Sequence, residues 1–106
     1  MQQQLDKTPL KHHCFYMEFD YDPYKSSTNK IKHGVDFEEA KLVWQDADVV
    51  LLASAYSVEI CYLAIGHSYN KLWTVIFALR GGTIRIISAR RSRESEAAYY
   101  EKNKNM

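Results

Sequence analysis

The chain has 106 residues, enough for one domain with one modest core and too few for two. Hydrophobic residues make up 46% of it, which excludes a chain too polar to fold. A net charge of +1 hides a partition: residues 1–59 carry six lysines against ten acids, while residues 60–93 carry Lys71, five arginines and no acid. Arginine stays charged and offers paired planar donors, so that cluster points to a phosphate-bearing partner or an acidic protein surface. The longest apolar runs, 49–53 and 75–79, are too short to cross a bilayer, and the first residues lack the basic and apolar regions of a secretory leader. A cytoplasmic location, with no membrane partner, is the expectation. Cys14 and Cys61 form no close pair and read as free structural thiols.

Residues 1–13 are polar, contain Pro9 and show no periodicity, so a flexible tail is expected there, ahead of a single domain over 14–104. The aromatic-rich run 14–21 predicts a strand. Asp22 followed by Pro23 is a helix start, an aspartate to cap free amides and a proline at the first helical position. That helix should run to about His33, with Gly34 as its left-handed stop. Asp36 with Glu39 three residues on reads as a capping box. Phe37, Ala40, Val43 and Trp44 then recur at helical spacing and predict a second helix. From Ala47 the texture changes to four β-rich runs, 49–53, 58–65, 72–79 and 83–89. Their connections, such as Arg80-Gly81-Gly82, are short, which favours antiparallel pairing. Ser92 is the expected cap of a last helix, with Glu94 and Glu96 in its first turns. The expected fold is α+β, in the order β-α-α-β-β-β-β-α, an antiparallel sheet with helices packed on one face.

Chemistry-bearing residues concentrate in two places. The first helix brings Lys25, Asn29, Lys32 and His33 to one side; a solvated face accounts for the lysines and asparagine, but His33 stands at a helix end where the dipole favours positive charge. In the last strand, simple alternation puts Ile84, Ile86 and Ser88 on one face with Arg90, and Arg85, Ile87 and Ala89 on the other with Arg91. Arg85 and Arg91 are therefore expected to project together, with Arg80 nearby at the glycine turn. Such a group suits RNA phosphates and the extra charge of a phosphoryl-transfer transition state. The structural alternative is that Arg85 pairs with an acid such as Glu59 and only holds the sheet together. His12-His13-Cys14 has the residue types of a metal site, but no second ligand group stands at zinc spacing, and no metal is expected. Tyr99-Tyr100 fits packing. An unrelated nucleic-acid-binding module is disfavoured because no stacking aromatics interleave with the basic residues.

Several of these segments together resemble the signature of the BrnT toxins of bacterial type II toxin–antitoxin systems. They are Phe19-Asp20-Tyr21-Asp22-Pro23-Tyr24-Lys25, Asn29, Lys32-His33-Gly34-Val35-Asp36-Phe37-Glu38-Glu39-Ala40, Ala64-Ile65-Gly66, Arg85-Ile86-Ile87-Ser88-Ala89-Arg90-Arg91 and the Glu96…Tyr100 spacing. The similarity covers residue 19 to about residue 101. It implies a RelE-like fold and a metal-independent, cofactor-free endoribonuclease in which the RNA 2′-hydroxyl attacks the neighbouring phosphate. A BrnA-like antitoxin would restrain it. Carried over by position, Lys32, His33, Arg85 and Arg90 are the candidate catalytic residues. Arg85 and Arg90 would hold phosphates, and His33 or Lys32 would move protons or bind the leaving group. Lys25, Arg80 and Arg91 are candidate RNA contacts, and Glu59 a candidate base. Because alternation sends Arg85 and Arg90 to opposite faces, a bulge or the strand end has to reconcile them. Members of the family typically carry an arginine where this chain has Cys61, and cysteine cannot replace that charge. The alternative expectation is thus a catalytically impaired protein that binds an antitoxin and joins it in an autorepressor complex, touching DNA only through that partner.

Overall fold

The computed structural model describes residues 18–54 and 60–104. The expected tail, His12-His13-Cys14, the first part of the first strand and Glu59 lie outside the described residues. The elements are β1 (Glu18–Asp20), α1 (Pro23–His33), α2 (Phe37–Ala40) running into a 3₁₀ helix (Lys41–Gln45), β2 (Val50–Ser54), β3 (Cys61–Ser68), β4 (Lys71–Arg80), β5 (Thr83–Arg91) and α3 (Glu94–Asn103). This is the expected α+β order.

Local chemistry fixes the helix ends. Asp22 caps α1 by accepting from the Tyr24 N–H at 2.9 Å, with Pro23 at the first turn. Gly34 ends the helix at φ 85, a conformation that favours glycine, and donates its N–H to the Lys30 carbonyl. Asp36 and Glu39 close a reciprocal capping box at 2.8 and 2.9 Å. Helical spacing continues through Trp44, but the chain tightens to 3₁₀ after Ala40. The last helix starts one residue later than expected. Arg93 is its N-cap residue, and the Ser92 hydroxyl is instead hydrogen-bonded to Thr74 at 2.8 Å.

One five-stranded sheet, in the order β1-β5-β4-β3-β2, organises the molecule. Two details differ from the expectation. The four later strands pair antiparallel, but β1 joins β5 in parallel, Glu18 opposite Thr83 and Asp20 opposite Arg85, so the sheet is mixed. The helices also divide between the two faces. Phe37, Val43 and Trp44 pack with Ala64, Val75, Phe77, Ile84 and Ile86 on one side, whereas Tyr100 of α3 packs with Val50 and Ile65 on the other. The cause is visible in β3, where Ala64, Ile65 and Gly66 are consecutively buried. A strand whose neighbouring residues are all buried needs cover on both faces.

Gly66 also sets how closely the 3₁₀ helix approaches the sheet. A Cβ there would stand 2.9 Å from the Val43 carbonyl oxygen and 3.0 Å from its Cγ1.

Candidate functional site

The site begins at the free side of β5. β1 covers β5 only from Thr83 to Arg85. Beyond that point α1 lies alongside, and the amide of Asn29 takes the place of a partner strand. Its Nδ2 donates to the Ala89 carbonyl at 2.8 Å and to Val35 O at 2.7 Å, while its Oδ1 accepts from the Ala89 N–H at 3.3 Å. Asn29 is buried, so in the expected Lys25–Asn29–Lys32–His33 group it is the residue that docks the helix.

With α1 held there, a groove opens between the helix and β5. One stretch, of about 360 Å³, is lined by Tyr24, Lys25, Thr28, Lys32, His33 and Ser88 among others. A second, of about 190 Å³, is lined by Asp22, Lys25, Arg80, Arg85, Ile86 and Ile87. The two share Asp22, Lys25 and Ile87 and so lie side by side along α1 and β5. Lys25, Lys32, His33, Arg80 and Arg85 thus come together along one groove. Among the described residues no carboxylate forms an ion pair with Lys25 or Lys32. Arg85 pairs with Asp20 at 2.6 Å, and the Arg85 guanidinium holds the Asp20 carboxyl below its usual range. The expected alternative partner, Glu59, lies outside the described residues.

The pairing of β4 with β5 settles the faces. Thr74 lies opposite Arg90 and Ile76 opposite Ser88, but Phe77 lies opposite Ile86, so Ile87 is an extra residue in a bulge. Residues directly opposed across a ladder point to the same side. Thr74, Ile76 and Ala78 alternate along one face of β4, and their partners Arg90, Ser88 and Arg85 share that face. Arg91, opposite Trp73, is on the other face with Ala89. The bulge therefore reconciles Arg85 with Arg90 and separates Arg85 from Arg91, which simple alternation had paired.

Sharing a face does not put Arg90 in the groove. Its guanidinium grips Glu96 of α3 with two bonds, at 2.7 and 2.9 Å, in a largely buried pair. Glu96 also accepts from Thr74 Oγ1 and the Arg93 N–H. Arg90 leads these in holding the Glu96 carboxyl down to about 2, against the desolvation that would raise it. Arg90 and Glu96 line a separate cavity of about 510 Å³ with Ser54, Cys61, Leu63, Ile76 and Arg93. Cys61 is a buried free thiol in that cavity.

Three contributors escaped the sequence reading: Asp20 as the partner of Arg85, Glu96 as the anchor of Arg90, and a polar cluster under α3. In that cluster Tyr100 donates to Asp46 at 2.7 Å, and Asp46 also accepts from the His67 N–H at 2.7 Å. Burial, followed by the hydrogen bond to Asp46, raises the Tyr100 hydroxyl above its ordinary range. Two of the three join residues far apart in the chain, Asp20 with Arg85 and Asp46 with His67 and Tyr100, whereas Arg90 and Glu96 meet across the corner between β5 and α3. Only the Glu96…Tyr100 spacing hinted at two of them.

Residues 21–96 match the model of a family described as the ribonuclease toxin BrnT of type II toxin–antitoxin systems. The chain belongs to this BrnT family. No match is found among curated proteins. The matched span runs from the start of α1 through β5 to Glu96, and so covers the whole groove and the Arg90–Glu96 pair. No helix among the described residues is long and apolar enough to cross a membrane.

Proposed function

We propose that this BrnT-family chain is an endoribonuclease that uses the α1–β5 groove to bind RNA and needs no metal or cofactor. The observation that carries the reading is the convergence of Lys25, Lys32, His33, Arg80 and Arg85 on two adjoining stretches of one groove between α1 and β5. In the proposed reaction the RNA 2′-oxygen forms a bond to the adjacent phosphorus while the bond to the 5′-oxygen breaks. The products are a 2′,3′-cyclic phosphate and a 5′-hydroxyl. His33 takes the 2′-hydroxyl proton, and Lys32 supplies a proton or a positive charge to the leaving oxygen. Arg85 exchanges Asp20 for the phosphate and offsets the charge that grows on it, with Lys25 and Arg80 holding neighbouring phosphates and Arg91, on the other face of β5, a more distant one. Arg90 can reach a phosphate only by giving up Glu96, and in the meantime it sets the position of β5. Glu59 remains a candidate base. A BrnA-like antitoxin with an acidic segment would neutralise the toxin by covering the same cations.

A second reading is favoured by one observation. At the position of Cys61 the cavity holds a thiol where the family resemblance implies an arginine, and the neighbouring Arg90 is already paired. In that reading the chain is a catalytically impaired protein that binds an antitoxin in an autorepressor complex.

Induced expression separates the two. We expect growth arrest with RNA fragments bearing 5′-hydroxyl ends, and purified protein that cleaves equally well in excess chelator. Arg85→Ala and His33→Ala should each slow cleavage by about 10²-fold or more. Intact RNA from folded wild-type protein would reject the nuclease reading and leave the antitoxin-binding one.

A further inference from the structure

His33 also lines a second concavity, of about 370 Å³, with Gly34, Glu39, Tyr69, Lys71, Trp73 and Arg91, the last two on the opposite face of the sheet from Arg85 and Ser88, so that His33 stands between this concavity and the groove. This is the aromatic–basic combination that the sequence did not reveal, because Lys71–Trp73 and Arg91 lie on different strands and meet only by pairing. We propose that this concavity is a nucleobase subsite of the RNA groove, in which an unpaired base stacks on Tyr69 while Lys71 and Arg91 hold the adjoining phosphate. The proposal rests on the reading of the α1–β5 groove as the RNA path and adds that the substrate is single-stranded there.

Tyr69 is the central observation. β3 and β4 are joined by the two-residue turn Tyr69-Asn70, whose residues both have positive φ, 51 and 62. Such turns favour asparagine and glycine, and a bulky aromatic at the first position is strained. Tyr69 is also 62% exposed, so packing in the core does not explain its presence. A strained, exposed aromatic beside Lys71 and Arg91 is what a stacking platform requires.

The surroundings fit the same purpose. Trp73 is buried and pinned by its Nε1, which donates to the Ser68 carbonyl at 3.0 Å. The Arg91 guanidinium lies 5.8 Å from the centre of its ring, which holds that charge at the rim. Among the described residues no carboxylate forms an ion pair with Lys71 or Arg91, and the lining acid, Glu39, is paired with Lys30 at 2.8 Å. The concavity therefore offers a flat aromatic face and two cations, the elements needed to hold one base and its phosphate.

The test uses the full chain and a fluorescein-labelled decamer of 2′-O-methyl RNA, which lacks the attacking hydroxyl and stays intact. Binding is read by anisotropy for wild type, Tyr69→Asn, Tyr69→Trp and Arg85→Ala. Asparagine suits a positive φ, so Tyr69→Asn should melt no lower than wild type, which removes misfolding as an explanation. One stacked base is worth about 1–3 kcal/mol, so this variant should bind about 5- to 150-fold more weakly, and Tyr69→Trp within about threefold of wild type. Moving a single abasic position along the decamer should give one site whose loss matches that of Tyr69→Asn. The same abasic RNA should cost that variant nothing further. Unchanged binding by Tyr69→Asn alongside weakened binding by Arg85→Ala would overturn the subsite and keep the groove. Loss by Tyr69→Asn that is equal for every abasic position would also overturn it. Failure of wild type to bind at all would overturn the groove and the subsite together.

Discussion

Glu96 shows how much one carboxylate can organise. It accepts from both terminal nitrogens of Arg90, from Thr74 and from the Arg93 N–H, and so ties β5, β4 and the start of α3 to one point. Its carboxyl is held near 2, below the ordinary glutamate value of 4.5, so it contributes stability that is complete above that ordinary range. The contribution is lost as pH falls from about 4.5 towards 2, because the unfolded chain takes up the proton first. Glu96→Gln should lower stability at neutral pH by about 2–4 kcal/mol, since it leaves the Arg90 charge partly buried without its partner. Urea unfolding at pH 7 and pH 3 measures both effects, and the variant should lose less than wild type between the two. Equal losses would mean that Glu96 is not the carboxylate that titrates. Asn29 works at the same scale by a different means. Its amide carries the same donor and acceptor as a peptide group, and so completes the β5 edge at Ala89.

Among the elements, β5 and β3 decide the site. In β5 the extra residue Ile87 rotates the second half of the strand relative to the first, so that Ile84 and Ile86 remain in the core while Arg85, Ser88 and Arg90 share the opposite face. In β3 Gly66 lets the 3₁₀ helix lie against the sheet, and with it Asp46, which fixes both His67 and Tyr100. A methyl group at Gly66 would meet backbone that cannot rotate away. Gly66→Ala should therefore destabilise by about 1–3 kcal/mol, the usual cost of overpacking, and lower the melting temperature in a thermal scan. An unchanged melting temperature would show that the 3₁₀ helix yields without cost.

Over the whole molecule the charge partition becomes spatial. Among the described residues several acids stand at capping and pairing positions: Asp22 and Asp36 at helix starts, and Asp20, Glu39 and Glu96 on cations. The groove keeps Lys25, Lys32, Arg80 and Arg85 along its length. Single-stranded RNA loses affinity with a slope of about −0.7 in log K against log salt for each phosphate neutralised. Four such contacts predict a slope near −3, and Arg85→Ala should flatten it by about 0.7. A slope near zero in an anisotropy titration would remove the phosphate-binding role from these residues.

Short-range chemistry was legible in the sequence. Asp22-Pro23, Gly34 and the Asp36…Glu39 box fixed the helix ends because each acts within a turn of the chain, where spacing alone brings partners together. Residue type, spacing and the family resemblance singled out Lys25, Lys32, His33, Arg80 and Arg85, which line the groove, and equally Arg90 and Arg91, which do not. The tertiary structure alone decided that β1 is parallel, that α3 covers the second face, that Ile87 is a bulge and that Tyr69 and Arg91 line one concavity. Those outcomes depend on strand register and on which face a neighbouring element buries. A single residue of register changes the side on which every following side chain appears, and that shift costs nothing that local sequence can record.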